Sequence, residues 1–281
     1  MGKPTNGTFR APQSIEQLTK GMGWNSELVG FLIPYARRDY VYIEDDFLND
    51  TLDATIWDQD TDTGSTPYAI GTLECGNIQG VTQNSTGDYI GIHSSIPIFD
   101  AARKPGAEIR FKIVTYTAAQ LVIEFGLSDD PTDGTLQSVN NIDTPTTGNG
   151  VTDFLGIAMD GGKTLKTFAL VGDGTTPAAS KADFPATIIP TADTWMRMLV
   201  QVGGSSTATN LAGGIGMIRN EATAAGTTDL SKPGWARASV LTGPTTGYLM
   251  QMNFLIGTLA DTARTVDIDY IRIWSERSPN A

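Results

Sequence analysis

Apolar and polar residues alternate one by one in several separate segments of this 281-residue chain. The alternating segments are 108–113, 120–127, 195–202 and 248–256, with a shorter one at 90–92. A period of two is typical of a β-strand with one buried face, whereas an amphipathic helix repeats every 3.6 residues. Strands with one apolar and one polar face predict antiparallel sheets that pack in two layers.

Length and composition are consistent with one large β domain. The chain has 31 glycines and only 18% charged residues, which favours strands and turns over surface helices. A single sandwich can reach about 250 residues. Turn-rich segments at 128–134 and 203–206 separate predicted strands, and we expect long loops at 139–150 and 222–234.

Several short segments carry a resemblance to a known superfamily. Residues 266–274 read Val-Asp-Ile-Asp-Tyr-Ile-Arg-Ile-Trp, and Asp45-Asp46-Phe47 and Thr51-Leu52-Asp53 precede Trp57. Asp193-Thr194-Trp195 leads into an internal strand. These segments resemble strands of concanavalin A-like lectin/glucanase sandwiches. The resemblance implies an all-β, two-sheet antiparallel jelly-roll sandwich over residues 41–276, with its first and last strands side by side. Such domains serve lectins, hydrolases, adhesion modules and virus structural proteins, so the fold leaves the function open.

Residues 1–40 differ from the rest and predict an N-terminal arm, followed by the sandwich at 41–276 and a C-terminal tail at 277–281. The capping-box pattern of residues 14–17 predicts a short helix in the arm. One short helix cannot bury the apolar run that follows it, so the arm packs either on its own sandwich or on a neighbouring subunit. The predicted interface residues are Trp24, Leu28, Phe31, Leu32, Ile33, Arg37 and Arg38.

Charge and cysteine content exclude several classes of function. The net charge is −12 and Arg37-Arg38 is the largest basic cluster, so we expect no direct binding to nucleic acid or to a membrane. Cys75 is the only cysteine, which excludes an intrachain disulfide and argues against a cysteine-based metal site. The first residues lack the apolar core of a secretion signal. We therefore expect synthesis in a host cytoplasm.

The sequence does not predict a catalytic set. Hydrolases that resemble laminarinases carry two glutamates flanking an aspartate on one strand, because the mechanism needs two carboxylates about 5–9.5 Å apart. Glu124 is the best local candidate and has no acidic partner at the required spacing. Asp267 and Asp269 share a strand face, and we interpret them as polar residues at an edge or a turn. His93, the sole histidine, lacks a nucleophile elbow beside it. The expectation is a protein without enzymatic activity.

An acidic stretch is the one candidate for ion binding. Asp58, Asp60 and Asp62 alternate as in the start of a calcium loop, although the later positions of such a loop do not match. A solvated acidic loop is the alternative, and no other cofactor is expected. Carbohydrate binding would need exposed aromatic rings nearby, and the candidates are Trp57, Tyr68 and Trp235, of which Trp57 is better explained as core packing.

Three functional hypotheses remain, and they come from different classes. The first is a structural virion protein, a bacteriophage capsid decoration, cement or accessory head protein that resides in the virion. Its partners would be its own copies, with a trimer as the leading oligomer, and a capsid shell protein. The second is a carbohydrate-binding or receptor-binding module that binds a surface glycan. The third is a glycoside hydrolase or lyase.

Overall fold

The structure of the protein is a computed structural model. It describes residues 40–48, 51–71, 76–95, 97, 99–115, 120–130, 142, 151–162, 167–173, 180–205, 212–221, 235–245 and 247–276. Nearly all of the predicted arm, including its interface residues from Trp24 to Arg38, lies outside these ranges, as do Cys75 and the tail at 277–281. Within these ranges, no helix is long and apolar enough to cross a membrane.

The described residues form a β protein with a short 3-10 turn at Ala101–Arg103. Its strands are β1 (Tyr40–Asp45), β2 (Trp57–Thr61), β3 (Thr66–Ile70), β4 (Ile78–Val81), β5 (Tyr89–Ser94), β6 (Phe99–Asp100), β7 (Gly106–Ile113), β8 (Leu121–Ser128), β9 (Phe154–Asp160), β10 (Ala169–Asp173), β11 (Ser180–Asp183), β12 (Trp195–Ser205), β13 (Ala212–Asn220), β14 (Ala236–Val240), β15 (Leu249–Thr258) and β16 (Thr265–Glu276).

The strands form two sheets of eight strands each. Sheet A has the order β14-β13-β12-β7-β16-β4-β3, and β1 also pairs with β16. Sheet B has the order β11-β10-β9-β8-β15-β5-β2, and β6 also pairs with β15. Every strand pair recorded in the described ranges is antiparallel. The predicted two-sheet antiparallel sandwich is confirmed.

The first and last strands lie side by side, as predicted. β1 pairs with β16 so that Tyr42 is opposite Trp274 and Tyr40 is opposite Glu276. β4 pairs with the other half of β16, at residues 265–268. Because β7 runs along the opposite edge of β16, the two short strands share one edge, end to end. The chain therefore enters the sandwich beside the strand on which it leaves.

The core lies between the sheets and is built from the alternating residues that the sequence predicts. Phe111 of sheet A and Phe254 of sheet B meet across it, with ring centroids 4.9 Å apart. Tyr248 departs from the pattern, since it is 41% exposed just before β15 begins. Members of the core from the predicted segments are Ile90, Ile92, Ile109, Phe111, Ile113, Leu121, Ile123, Phe125, Leu127, Met196, Met198, Val200, Val202, Met250, Met252, Phe254 and Ile256.

One interpretation of the closing strand is wrong. Asp267 and Asp269 do face the same side of β16, but β16 is an interior strand of sheet A and they are not at an edge or a turn. A β-bulge between Ile268 and Tyr270 makes Asp269 the extra residue. Both carboxylates are paired with cations of β7, Asp269 with Arg110 at 2.6 Å and Asp267 with Lys112 at 3.3 Å.

Candidate functional site

Polar side chains gather on the outer face of sheet B, which faces away from the core. Asp58 of β2, His93 of β5 and Asn253 of β15 lie side by side across three strands. Asp60 is two residues from Asp58 and therefore on the same face. Directly opposed residues have Cβ atoms about 4.5–5.5 Å apart, so these side chains are close neighbours. We call Asp58, Asp60, His93 and Asn253 the outer patch.

A buried glycine, Gly91, lies in the middle of the outer patch. Gly91 pairs with Asp60 on one side and with Leu255 on the other, and Tyr89 and His93 flank it along β5. A Cβ placed on Gly91 would make only ordinary contacts, with the nearest heavy atom at 3.4 Å. Gly91 is itself buried, and its position is bordered by a carboxylate, an imidazole, a phenol and an aliphatic side chain.

Burial and charge change the pKa values of Asp60 and Tyr89, which lie next to Gly91. The hydroxyl of Tyr89 donates to Oδ1 of Asp60 at 3.4 Å. Burial raises the pKa of the Asp60 carboxyl, although the Tyr89 hydrogen bond and His93 oppose the shift. Burial, together with the charge of Asp60, raises the pKa of Tyr89 to about 12. The phenol therefore stays a hydrogen-bond donor at neutral pH.

The imidazole and amide of the outer patch are almost fully buried. His93 is 3% exposed and Asn253 is 5% exposed. Nδ1 of His93 lies 3.4 Å from the main-chain oxygen of Ser94. Such groups can donate to and accept from hydroxyl groups, which is the chemistry of neutral polar ligands such as sugars.

Glu124 lies on the same face, away from Asp58 and Asp60 but diagonal to Asp160 of the neighbouring strand β9, which pairs with Val122. It is 1% exposed and sits on β8, and two strands, β15 and β5, lie between it and Asp60. Three strand spacings amount to about 14 Å, which exceeds the separation that either glycosidase mechanism uses. The alternate positions of β8 on this face carry Gly126 and Ser128. Glu124 is therefore the one carboxylate that β8 carries on this face.

The calcium prediction receives no support from the part of the chain that the structure describes. No group of three or more His, Cys, Asp or Glu side chains there is placed to hold a metal ion. The carboxylates of Asp58 and Asp62 instead accept hydrogen bonds from the next main-chain N–H groups, at 2.8 and 2.7 Å. A calcium site at Asp58, Asp60 and Asp62 stays a prediction.

Two of the aromatic candidates for sugar binding are in the core. Trp57 is 2% exposed, and its indole N–H donates to Asp45 at 2.8 Å, as the core interpretation of this residue predicts. Tyr68 is also 2% exposed, so its proposal as a ligand-facing ring is wrong. Trp235 is partly exposed and packs on the outer face of sheet A. The sequence offered no way to find the aromatic ring that does border the outer patch, Tyr89.

The outer face of sheet A has a charged half and an apolar half. In the charged half, Glu221 accepts from Arg110 at 2.8 Å and from Arg197 at 2.7 Å. The guanidinium of Arg110 lies 4.4 Å from the ring centre of Trp195. The charged half consists of Glu44, Arg272, Glu108, Tyr270, Arg197, Glu221, Arg110, Asp269, Lys112, Asp267 and Asp193.

The apolar half lies beside β1. Leu199, Met217 and Trp274 are buried there, and three partly exposed residues pack against them. We call this group the outer apolar cluster, and its members are Tyr42, Leu199, Ile215, Met217, Trp235 and Trp274.

Comparisons with known proteins identify the fold and no family. No protein-family model matches the chain, and no curated protein matches it. A protein of unknown function from Shewanella oneidensis MR-1 superposes with a TM-score of 0.50 at 12% identity, covering 86% of this chain and 89% of that chain. The carbohydrate recognition domain of Emp47p gives a TM-score of 0.51 at 11% identity, covering 85% and 97%.

The chain has a concanavalin A-like jelly-roll fold. A third similar structure is the CBM2 module of the Dit protein of Lactobacillus casei BL23 phage J-1, with a TM-score of 0.45 at 12% identity and coverage of 86% and 99%. Identities this low establish the fold alone, so function has to be argued from the sites of this chain.

Proposed function

We propose that the protein is a non-enzymatic structural protein of a bacteriophage particle, a capsid decoration or accessory head protein that stabilises the shell through contacts between subunits. The observation that carries the proposal is the outer apolar cluster on sheet A, next to the point where the chain enters β1. A sandwich already has its core between the sheets. A second apolar cluster on an outer face, beside the start of β1, favours an assembly role.

The arrangement of acids supports a role without catalysis. Glu124 is the one carboxylate of β8, and Asp60 is three strands away. Asp58 and Asp60 lie on the terminal strand of the sheet B order, and Asp160, which is diagonal to Glu124 on β9, accepts a hydrogen bond from the main-chain N–H of Gly162 at 2.8 Å. We therefore expect no cleavage across a panel of polysaccharides, and a Glu124→Gln variant that differs from the parent only modestly in stability. Cleavage that is lost in Glu124→Gln or Asp60→Asn would contradict the proposal.

A proteomic inventory of purified phage particles from the source tests the structural role. We expect the protein to co-purify with the major shell protein through a density gradient, at a fixed copy ratio. A host cytoplasmic protein of similar abundance is the control for carry-over. If the protein stays with the soluble fraction while the shell protein moves to the particle band, the structural role is wrong.

A carbohydrate-binding role is the second candidate, and the outer patch of sheet B favours it. Gly91 is bordered by Asp60, Tyr89, His93 and Leu255, a mixture of polar and apolar groups. If this role is correct, we expect the parent chain to bind to glycans on an array. The signal of the Asp60→Asn variant should then be at least tenfold weaker.

The Asp60→Asn variant separates binding from folding. Burial raises the pKa of Asp60, so the ionised carboxyl lowers stability at neutral pH, and the amide is expected to be no less stable. Asp183→Asn, on β11 at the far end of the sheet B order, is the matched control and should bind like the parent. Equal binding by all three proteins, or by none of them, would exclude the outer patch as a glycan site.

A further inference from the structure

We propose that the outer edge of β1, the side that faces away from β16, is the docking site for segment 28–33 of a second copy of this chain, which adds to sheet A as one further strand. The inference names the partner surface for the assembly role proposed above and rests on that role. The exposure of this edge, its apolar character on both faces of the sheet and the composition of the segment support the choice.

The outer edge of β1 is open in the single chain. Along the ranges that the structure describes, β1 pairs with β16 alone, and the main-chain groups on its outer side have no recorded hydrogen-bond partner. Residues 41–43 of β1 are partly exposed, whereas the residues opposite them, 273–275 of β16, are buried. The buried part of sheet A therefore ends at β1, and the outer edge is accessible to another chain.

The terminal strands of the two sheets are better protected than β1. On one side of the sandwich, β2 donates a hydrogen bond to the main-chain oxygen of Tyr68 on β3, and on the other side Ser180 of β11 donates to the turn after β14. Among the described residues of β1, a contact of this kind to sheet B is recorded only for the last one, Asp45, which accepts from Trp57. Edge strands are also protected by lysine or proline, and β1 contains neither.

The outer edge of β1 is apolar on both faces of the sheet. Val41 and Ile43 pack against the core between the sheets, while Tyr42 belongs to the outer apolar cluster on the opposite face. A strand laid along this edge would therefore have apolar neighbours on both of its faces. Strands buried on both faces are continuous apolar runs, without the alternation of a strand that has one face in water.

Segment 28–33 has the composition that this position requires. It reads Leu-Val-Gly-Phe-Leu-Ile, and no apolar run elsewhere outside the described ranges is as long. Its six residues match the length of β1, which also has six. Burying apolar surface contributes about 25 cal/mol per Å², and an added strand also gains main-chain hydrogen bonds.

The open edge favours a second copy as the source of the segment. A strand that a chain adds to its own sheet would be paired in the single chain, whereas no partner of β1 other than β16 is recorded in the described ranges. In a symmetric assembly every subunit gives one segment and receives another, so a single type of contact is repeated throughout.

Photo-crosslinking from the outer edge of β1 identifies its occupant. The full chain carries p-benzoylphenylalanine in place of Tyr42, which keeps an aromatic ring at a partly exposed position. We expect irradiation of the assembled protein to join the probe to residues 28–33 of a second chain, at a yield at least tenfold above that of the control. The control carries the probe in place of Asp183, an exposed residue of the edge strand β11.

Denaturing electrophoresis and peptide mass spectrometry separate the outcomes. A species with twice the mass of the chain, in which the probe is joined to residues 28–33, is the expected product. A crosslink to the same residues within one chain would show that the arm covers its own β1, and the inference would be wrong. A crosslink to another peptide, or a yield no higher than that of the control, would also overturn it. Presence of the protein in phage particles is measured independently, so a failed docking site and a failed particle role give different results.

Proline substitutions test whether the segment adds as a strand. Proline lacks the N–H group that a strand donates to its neighbour, and alternate N–H groups of a strand face the same neighbour. We therefore expect at least one of Phe31→Pro and Leu32→Pro, tested separately, to lower the yield of the crosslink at least tenfold. The matched controls Phe31→Leu and Leu32→Met should keep the yield of the parent. An unchanged yield in both proline variants would contradict strand addition.

Discussion

Single residues on the outer face of sheet A show how charges are held on a half-buried β surface. Glu221 follows directly after β13 and accepts hydrogen bonds from two arginines of neighbouring strands. Burial alone would raise the pKa of its carboxyl, but the hydrogen bonds and charges of Arg110 and Arg197 outweigh burial and lower it. Exposed ion pairs contribute little to the stability of a fold. Here two partly exposed arginines share one carboxylate, and we expect this arrangement to stabilise the fold measurably.

The Glu221→Gln variant makes this contribution measurable through its pH dependence. The pKa of Glu221 is lowered in the folded state. The ionised carboxylate therefore contributes fully to the stability of the fold above the ordinary pKa of 4.5, and this contribution is lost as the pH falls through the folded-state pKa. At pH 7 we expect the variant to unfold with a free energy lower by about 1–3 kcal/mol. The difference should shrink below about pH 4.5 in urea titrations. A difference that is constant from pH 7 to pH 3 would contradict this account.

At the scale of strands, the two sheets are joined by aromatic contacts in the core. Phe111 of β7 and Phe254 of β15 are both fully buried, and their rings are 4.9 Å apart. β7 pairs with β12 and β16, and β15 pairs with β8 and β5, so each ring lies on an interior strand of its sheet. The contact therefore connects the two layers near their middles.

Truncating one of these rings should destabilise the sandwich as a whole. Phe254→Ala is expected to lower the free energy of unfolding by about 3–5 kcal/mol, since it removes buried surface and leaves a cavity between the sheets. Leu241→Ala is the control: this residue is 91% exposed and its change should stay within about 0.5 kcal/mol. Chemical denaturation of both variants measures the difference. Similar losses for the two would show that the core is not packed around this contact.

Strands were predictable from the sequence because alternation encodes which face is buried. The bulge in β16 is also visible there, since the apolar spacing changes from two to three between Ile268 and Ile271. Neighbours across strands were not predictable: His93 and Asn253 are 160 positions apart in the chain and meet only through the order of β5 and β15. Tyr68 could not be placed either, because a lone aromatic between turn-rich segments fits a buried site and an exposed one equally well.

For the whole molecule, the two outer faces differ in ways that fit different partners. Sheet B presents the outer patch around Gly91, whose polar groups suit a small polar ligand. Sheet A presents the outer apolar cluster beside β1, which suits an apolar segment. The chain enters the sandwich at Tyr40 of sheet A, whereas the outer patch belongs to sheet B. Removing the arm should therefore affect assembly and leave any ligand binding unchanged.

Deletion of residues 1–38 tests this separation. β1 begins at Tyr40 and is kept whole, so we expect the truncated chain to fold, with a far-ultraviolet circular dichroism spectrum typical of a β sandwich. The truncated chain should no longer assemble or attach to phage shells, because the apolar segment 28–33 is gone. For the full chain, a trimer is the leading expectation. Light scattering coupled to size exclusion measures the mass, and deletion of residues 277–281 is the control that should keep the oligomer. If the chain without its arm assembles and binds shells as the full chain does, the arm only packs on its own domain, and the structural role loses its main physical support.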